Sequence, residues 1–564
     1  MTKLFYLSIL LLFFSQYVLA QHGHAGMDMN ETVPAFNATG DEPMSYALYP
    51  GDKAYFYLHV SMMVLSFWIL MPLGIMFGIA KSSLHVPTQL LAFAVAMLGF
   101  FFAKLYGHST PHLYKGNSHH TLGWIMFLLL IIQMTVGIVR KIANAVARSK
   151  GTYEQLESAH LMRSSSSSSS SSSADDGHDS SSSSSSSSTR SKTSGETLRM
   201  NEFDHDKHHH LGNYEEDEDE EMCLSPTTLA PVDENPGFTM RLFNAVSPFI
   251  PKFVKTAFVA LADNSFTNVF CRYYHLIMGR TFILLIFTQT LSGLVVYHGV
   301  CRSWEVLGCI AHLIKGGIFF FYGMITFGRY LGAFAERGWA WNHVPNGSNF
   351  SFEMVESGLI FTYGITNTWM EHFGQDPEWT HKDFEHASLA FMWWWCGLIG
   401  VLVESKALRR LLEGTKKVRE EKKQTYSLNP FPALTVFMTG ISMGNHHQDT
   451  AYSSNIHWLW GLLLSSAAVS RLATYVILYR NAPSEKTPSR PPTELVGAFL
   501  LIAGSILFMA SNSGTLLWLR RNNVDSMFLM NVVVALTSIT LSYVAALMII
   551  KAWAKRREDS KRQR

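Results

Sequence analysis

Histidine within an apolar run is the feature of this sequence that most directly offers chemistry, because an imidazole in hydrocarbon is costly and needs a partner. Four histidines mark the first four long apolar runs: His59 in YFYLHVSMM, His85 in SLHVPTQLL, His120 in SHHTLGWIM and His275 in YYHLIMGRT. A helix rises about 1.5 Å per residue and a bilayer core is about 30 Å thick, so the ~26 residues from His59 to His85 exceed one crossing. With helices alternating in direction, His59 and His120 fall near the outer face, and His85 and His275 near the cytosolic face. Two imidazoles at one depth on different helices suit a low-spin haem iron, one on each axial side. Two such pairs, stacked, would make a two-haem electron path. The competing reading is four interfacial histidines with ordinary hydrogen bonds, which suffices for any one of them alone.

Other groups have metal-binding or anion-binding character. Residues 21–29 read QHGHAGMDM. His22, His24, Met27 and Met29 offer imidazole and thioether ligands, a set that suits copper, and the alternative is a plain solvated segment. In the second half His312, Glu371, His386, His447 and His457 all fall near the outer side. They suit a hard or borderline cation, or else a polar network facing the bundle interior. Lys81 and Arg140 end the first and third runs, and Arg280 lies one turn inside the fourth. These cations suit a haem propionate or an anionic electron donor, with positive-inside anchoring as the other reading. No residue reads as catalytic in its own right.

The elements that would position these groups are helices. The chain has 564 residues, of which 48% are hydrophobic and 16% charged, against about 25% charged in average soluble domains. Apolar runs lie near 55–80, 86–106, 120–139, 274–298, 306–328, 352–373, 385–405, 430–444, 456–479, 493–518 and 526–551. The pattern predicts an all-α polytopic transmembrane bundle of about eleven spans. It follows a signal peptide over 1–20, where Lys3 precedes an apolar run that ends in Val18-Leu19-Ala20. Residues 21–52 form a lumenal or extracellular segment with glycosylation sequons at Asn30 and Asn37. Residues 53–144 and 246–300 make a four-helix unit, 301–482 a second helical unit, 483–551 two C-terminal spans, and 552–564 a basic tail. The insert at 145–245 carries the serine runs Ser164–Ser173 and Ser180–Ser188, three histidines at 208–210 and an acidic run at 215–221. It cannot bury enough apolar surface to fold and reads as a disordered cytosolic loop.

Loop charges place the N-terminus outside and the C-terminus in the cytosol, since Arg140-Lys141, Arg409-Arg410 and the tail from Lys551 then all lie inside. Arg520-Arg521 is the exception, and one miscounted span would remove it. The five cysteines show no paired spacing, which argues against a disulfide framework or a thiolate zinc site. The route is secretory, ending in the plasma membrane or an endomembrane. The expected partners are the lipid bilayer and a small-molecule electron donor, with no nucleic acid.

His59…Trp68…Pro72-Leu73-Gly74, His85-Val-Pro-Thr-Gln89, His120-Thr-Leu-Gly123 with Gln133, and His275-Leu-Ile-Met-Gly279-Arg280 with Gly293 stand in this order over about 52–300. They resemble the four core helices of the transmembrane cytochrome b-561 family. That resemblance implies two b-type haems, one on His59/His120 and one on His85/His275. It also implies electron flow from cytosolic ascorbate to an outer acceptor such as a ferric or cupric ion or the ascorbate radical. The long insert and the lack of an attached redox domain depart from the family. Over about 311–465 the chain resembles the transmembrane-protein-45-type family, through Ala311-His312, Val355-Glu356-Ser-Gly358, Glu371-His372, Phe384-Glu385-His386, Gly444-Asn-His446-His447 and Ile456-His457. The whole chain resembles fungal YTP-type membrane proteins. The leading expectation is transmembrane electron transfer, as in an ascorbate-dependent metalloreductase. The alternatives are a non-enzymatic metal-binding or transport component and a scaffold.

Overall fold

A computed structural model describes residues 45–47, 51–110, 117–140, 253, 264–302, 305–341, 351–370, 378–413, 427–481 and 490–563. The signal peptide, His22, His24, Met27, Met29, Asn30, Asn37, the 145–245 insert and Glu371 lie outside them. Every regular element among the described residues is helical. The helices are α1 (Lys53–Ile79), α2 (His85–Ser109), α3 (Ser118–Arg140), α4 (Ser265–His298), α5 (Val306–Tyr330), α6 (Phe352–Met370) and α7 (His381–Glu404). They continue with α8 (Lys406–Glu413), α9 (Phe431–Gly444), α10 (Ala451–Arg480), α11 (Pro492–Ala510), α12 (Ser513–Arg521) and α13 (Ser526–Gln563).

Among the described residues, nine helices are long and apolar enough to cross a membrane. The expected eleven also included α6 and α9. The first is 19 residues long but is not among the nine, and the second has only 14 residues. The apolar run at 493–518 is not one helix. Asn512 caps a fresh start, its side chain accepting from Thr515 N at 3.0 Å, so Arg520 and Arg521 end the separate nine-residue helix α12. The two arginines thus sit on a short separate helix after α11 and not on the span itself.

The chain divides into two units, one of residues 1–130, 237–239 and 279–564, the other of 131–236 and 240–278. In the smaller unit Val136, Val139 and Cys271 form a buried contact, with Tyr274 against them. In the larger unit the core gathers on α10 and α11, where Ile456, Trp460, Leu464, Ile502 and Leu507 are fully buried. In sequence, α11 offered only apolar length. Its small residues explain its central place, because they let backbones approach where lipid gives helices no hydrophobic reason to associate. A β-carbon on Gly323 of α5 would stand 2.6 Å from Ile502 Cγ1 and 3.2 Å from the Ala498 carbonyl. One on Gly461 of α10 would collide with the Gly440 carbonyl of α9. Overpacking of this kind costs about 1–3 kcal/mol.

Helix α13 returns to α1. Pro72 has no N–H to give the carbonyl of Trp68 four residues back. The Tyr543 hydroxyl donates to that carbonyl instead, at 2.8 Å. The stretch Val64–Leu70 just before it is wound as a π-helix. The ends of the larger unit can be told apart. Ser45 Oγ and Ala47 N both donate to Tyr297 O, at 2.9 and 3.0 Å, which ties the segment before α1 to the last turn of α4. Next to that turn Cys301 and Cys309 form a disulfide with Cα atoms 5.7 Å apart. One disulfide thus forms although the cysteines show no paired spacing in the sequence. The eight-residue separation spans the bend from α4 into α5, and the bend closes the distance.

Candidate functional site

Three of the histidines that head the first helices share one arrangement. His59 Nδ1 lies 3.0 Å from the Gly99 carbonyl of α2, and His85 Nδ1 lies 2.7 Å from the Gly74 carbonyl of α1. His119 Nδ1 lies 3.2 Å from the Gln289 carbonyl of α4. A carbonyl oxygen only accepts, so Nδ1 carries the proton and Nε2 is left with a lone pair. This is the tautomer that an Nε2 metal or haem-iron ligand requires, oriented by a second group. Glycines make room for the rings. A β-carbon on Gly293 would come within 3.0 Å of the His119 ring, and one on Gly78 within 2.9 Å of His85 Nδ1. His59 and His119 are close enough for their charges to interact.

The inward histidine of the 119–120 pair is therefore His119, whereas His120 is exposed. Adjacent residues on a helix point about 100° apart, so only one can face α4. In the smaller unit His275 pairs with Gln133, whose Nε2 lies 3.0 Å from His275 Nδ1 and 3.2 Å from its carbonyl. His85 lies in the larger unit and His275 in the smaller one. Lys81 and Arg280 are exposed.

At the disulfide end of the larger unit the second-half histidines form a row. Ring centroids are 6.1 Å apart for His312 and His457, 5.1 Å for His457 and His446, and 5.7 Å for His446 and His386. His312 Nδ1 meets Gly308 O at 2.8 Å and His457 Nδ1 meets Ser453 O at 2.8 Å, each one helical turn back. His446 has Met443 O at 2.6 Å from Nδ1 and Gln448 Nε2 at 2.6 Å from Nε2. The row joins His312, His386 and His457 with His446, whereas His447 is exposed just beyond the end of α9. Among the described residues no three histidine, cysteine, aspartate or glutamate side chains converge to hold one metal ion.

A cluster that sequence reading passed over lies at the opposite end of the same unit. Arg471 of α10 reaches Glu494 of α11 in a close contact, Glu353 Oε1 of α6 at 3.2 Å and Glu356 Oε1 at 3.7 Å. Arg329 of α5 lies 3.5 Å from Glu494 Oε1, donates from Nε to Trp339 O at 2.9 Å, and stacks over Phe352 at 3.8 Å. All five charged side chains are buried. His457 and Arg471 are about 21 Å apart along α10, from 1.5 Å per residue. The Trp460–Phe508 stack, with centroids 4.2 Å apart, lies between them in the core. In sequence only Glu353 and Glu356 stand near each other, and the packing of four helices brings the five charges together.

Comparison with known proteins fits this architecture. The chain matches the family described as "Protein YTP1-like, C-terminal" over residues 285–552 and a domain of unknown function, DUF2427, over residues 41–143. It is 34% identical to a protein named as an uncharacterized membrane protein in Schizosaccharomyces pombe, over 92% of this chain and 99% of that one. It is 33% identical to another so named in Saccharomyces cerevisiae, over 60% of this chain and 55% of the other. Protein YTP1 of Saccharomyces cerevisiae is 25% identical over 41% of this chain and 44% of its own length. No solved structure matches the chain. With α-helical spans throughout its described residues and a relative of this similarity along nearly all its length, the chain belongs to the fungal YTP1-type family of polytopic membrane proteins.

Proposed function

We propose that this protein carries electrons across its membrane through b-type haem held by histidines of α1 to α4. A cytosolic small-molecule donor such as ascorbate would supply them, and a ferric or cupric ion or the ascorbate radical would receive them outside. The observation that supports this is the shared geometry of His59, His85 and His119, each with Nδ1 against a backbone carbonyl of a neighbouring helix. His59 and His119 fit one haem, being two oriented imidazoles on different helices with Nε2 free of a proton. Haem, when bound, supplies the one-electron chemistry. The chain's part is to hold and orient the imidazoles and to keep water away, with Gly78, Gly99 and Gly293 leaving room. His275 is the fourth candidate ligand, though Gln133 Nε2 donates to its Nδ1, so its Nε2 would have to give up a proton to bind iron.

The direction of transfer needs an orientation. The disulfide supports placing residues 45–47 and the α4–α5 bend on the outside, since disulfides persist in oxidising compartments. The basic end of α13, from Lys551 onward, then lies in the cytosol as positive-inside anchoring requires. This reading keeps the chain in a secretory-pathway membrane, with 1–20 as its signal and Asn30 and Asn37 as glycan acceptors. The direct test is to purify the protein and count its haem. Two haems per chain are expected, and a haem-free protein would contradict the proposal.

A second reading, a metal-handling component without redox activity, is favoured by the row His312, His457, His446 and His386 at the outer end. Centroid spacings of 5.1–6.1 Å suit ions bridged by two imidazoles at a time. Loss of bound zinc or copper on substituting His446 and His457, in a protein that lacks haem, would select it.

A further inference from the structure

Among the described residues the buried charge cluster does not balance. Three carboxyls, Glu353, Glu356 and Glu494, face two guanidiniums, Arg329 and Arg471. Among the described residues, the other titratable groups that act on them are Tyr322 of α5 and Tyr475 of α10. Both phenols are neutral at physiological pH and add no positive charge. With every carboxyl ionised the cluster would hold a net negative charge away from water, which is costly inside a membrane protein.

We propose that Glu356 holds an exchangeable proton, and that this cluster is a proton-binding site. Geometry selects the residue. Glu494 is shared by both arginines, and Glu353 accepts from Arg471 at 3.2 Å. Glu356 lies 3.7 Å from Arg471 and has only the neutral Tyr322 hydroxyl as a hydrogen-bonding neighbour, although it is only 6% exposed. A proton there brings the cluster to neutrality and leaves both short pairs intact.

The site also has a route for exchange. A cavity with room for about one water is lined by Tyr322, Thr326, Arg471 and Glu494. A second cavity, lined by Arg329, Ala340, Thr474, Pro491 and again Glu494, lies toward the end where α5 stops and α11 begins. Glu494 borders both, and the first also touches Tyr322, the neighbour of Glu356, so the proposed exchange runs from that end past the carboxylate that the arginines share. This proposal does not depend on haem, and its failure would leave the electron-transfer reading untouched.

The test is infrared difference spectroscopy of the full-length protein in lipid nanodiscs, stepping pH about neutrality in H2O and then in D2O. The expected result is a carbonyl stretch of a protonated carboxyl at neutral pH that shifts in D2O and is lost in Glu356→Gln. The Glu356→Gln protein should keep the wild-type thermal midpoint, because an amide copies the protonated acid. Glu494→Gln should lower the midpoint by removing the charge that both arginines share. Absence of the band from the wild-type protein overturns the proposal, and this reading needs no variant to fold. A band that survives in Glu356→Gln, or one abolished by sodium or potassium at fixed pH, also overturns it, the last by showing a metal-cation site instead.

Discussion

His119 and Gln289 hold each other by two contacts across 170 residues of sequence. His119 Nδ1 lies 3.2 Å from the Gln289 carbonyl, and Gln289 Nε2 donates to the His119 carbonyl at 2.9 Å. The Ser292 hydroxyl adds a third contact, 3.1 Å from His119 Nδ1. The ring is thereby fixed in orientation and tautomer before any ligand arrives, which is what a second shell does for a metal-ligating imidazole.

The first prediction separates two neighbouring residues. His119→Ala should remove one haem and leave the other, and so should His59→Ala. His120→Ala should leave both, because its ring is exposed. Gln289→Leu should keep the haem but move its midpoint potential, since the group that orients the ligand is changed. Haem content by pyridine haemochromogen and potentiometric titration check these outcomes. Haem loss on His120→Ala alone would assign the ligand to the other histidine.

The sequence shows the 119–120 pair as SHHTLGWIM but not which ring turns inward. That choice depends on the rotation of α3 against α4, a tertiary property. The long helices were legible because apolar runs of about 20 residues leave few alternatives. The break at Asn512 was less so, since residues 493–518 stay apolar across it and only the capping bond to Thr515 reveals the new start. His446 and His447 posed the same difficulty as 119–120, at the frayed end of α9. The Arg471 cluster was hidden for another reason. Its members are spread from Arg329 to Glu494, with no spacing rule to join them.

The disulfide offers a test of orientation. In intact cells or sealed vesicles, a membrane-impermeant maleimide should fail to label Cys301 and Cys309 until a reductant is added from the outside. In Cys309→Ser, the half-buried Cys301 should label from outside without reduction. Labelling from the cytosolic side only would invert the topology and the direction of electron flow.

Breaking the buried charge cluster should cost stability. Arg471→Met leaves Glu353 and Glu494 without their shared cation and should destabilise the folded protein by about 3–5 kcal/mol, as for other buried pairs that lose one partner. Arg471→Lys should be only partly tolerated, because one ammonium cannot meet carboxylates on two sides as a guanidinium does. Thermal unfolding in detergent or nanodiscs, followed by size-exclusion chromatography, reads both. A wild-type midpoint for Arg471→Met would show that the cluster does not support the fold.

The histidine row predicts a pH dependence for any ion it binds. Imidazole binds metal only when neutral, and its ordinary pKa is about 6.5. Binding of zinc or cupric ion at the row should therefore hold above that pH and fall away below it. His457→Leu and His446→Leu should each weaken it more than changes at the two ends of the row, since each middle ring neighbours two others. Isothermal titration at pH values on either side of neutrality checks the direction, and stronger binding in acid would exclude imidazole ligation.

The central claim is that oriented histidines on the first four helices carry haem, and one spectrum tests it. The purified protein should show reduced-minus-oxidised absorbance bands of b-type haem on addition of ascorbate, with amplitude for two haems per chain and about half that amplitude in His119→Ala. A purified, folded protein with no such bands, under ascorbate or under dithionite, would contradict it.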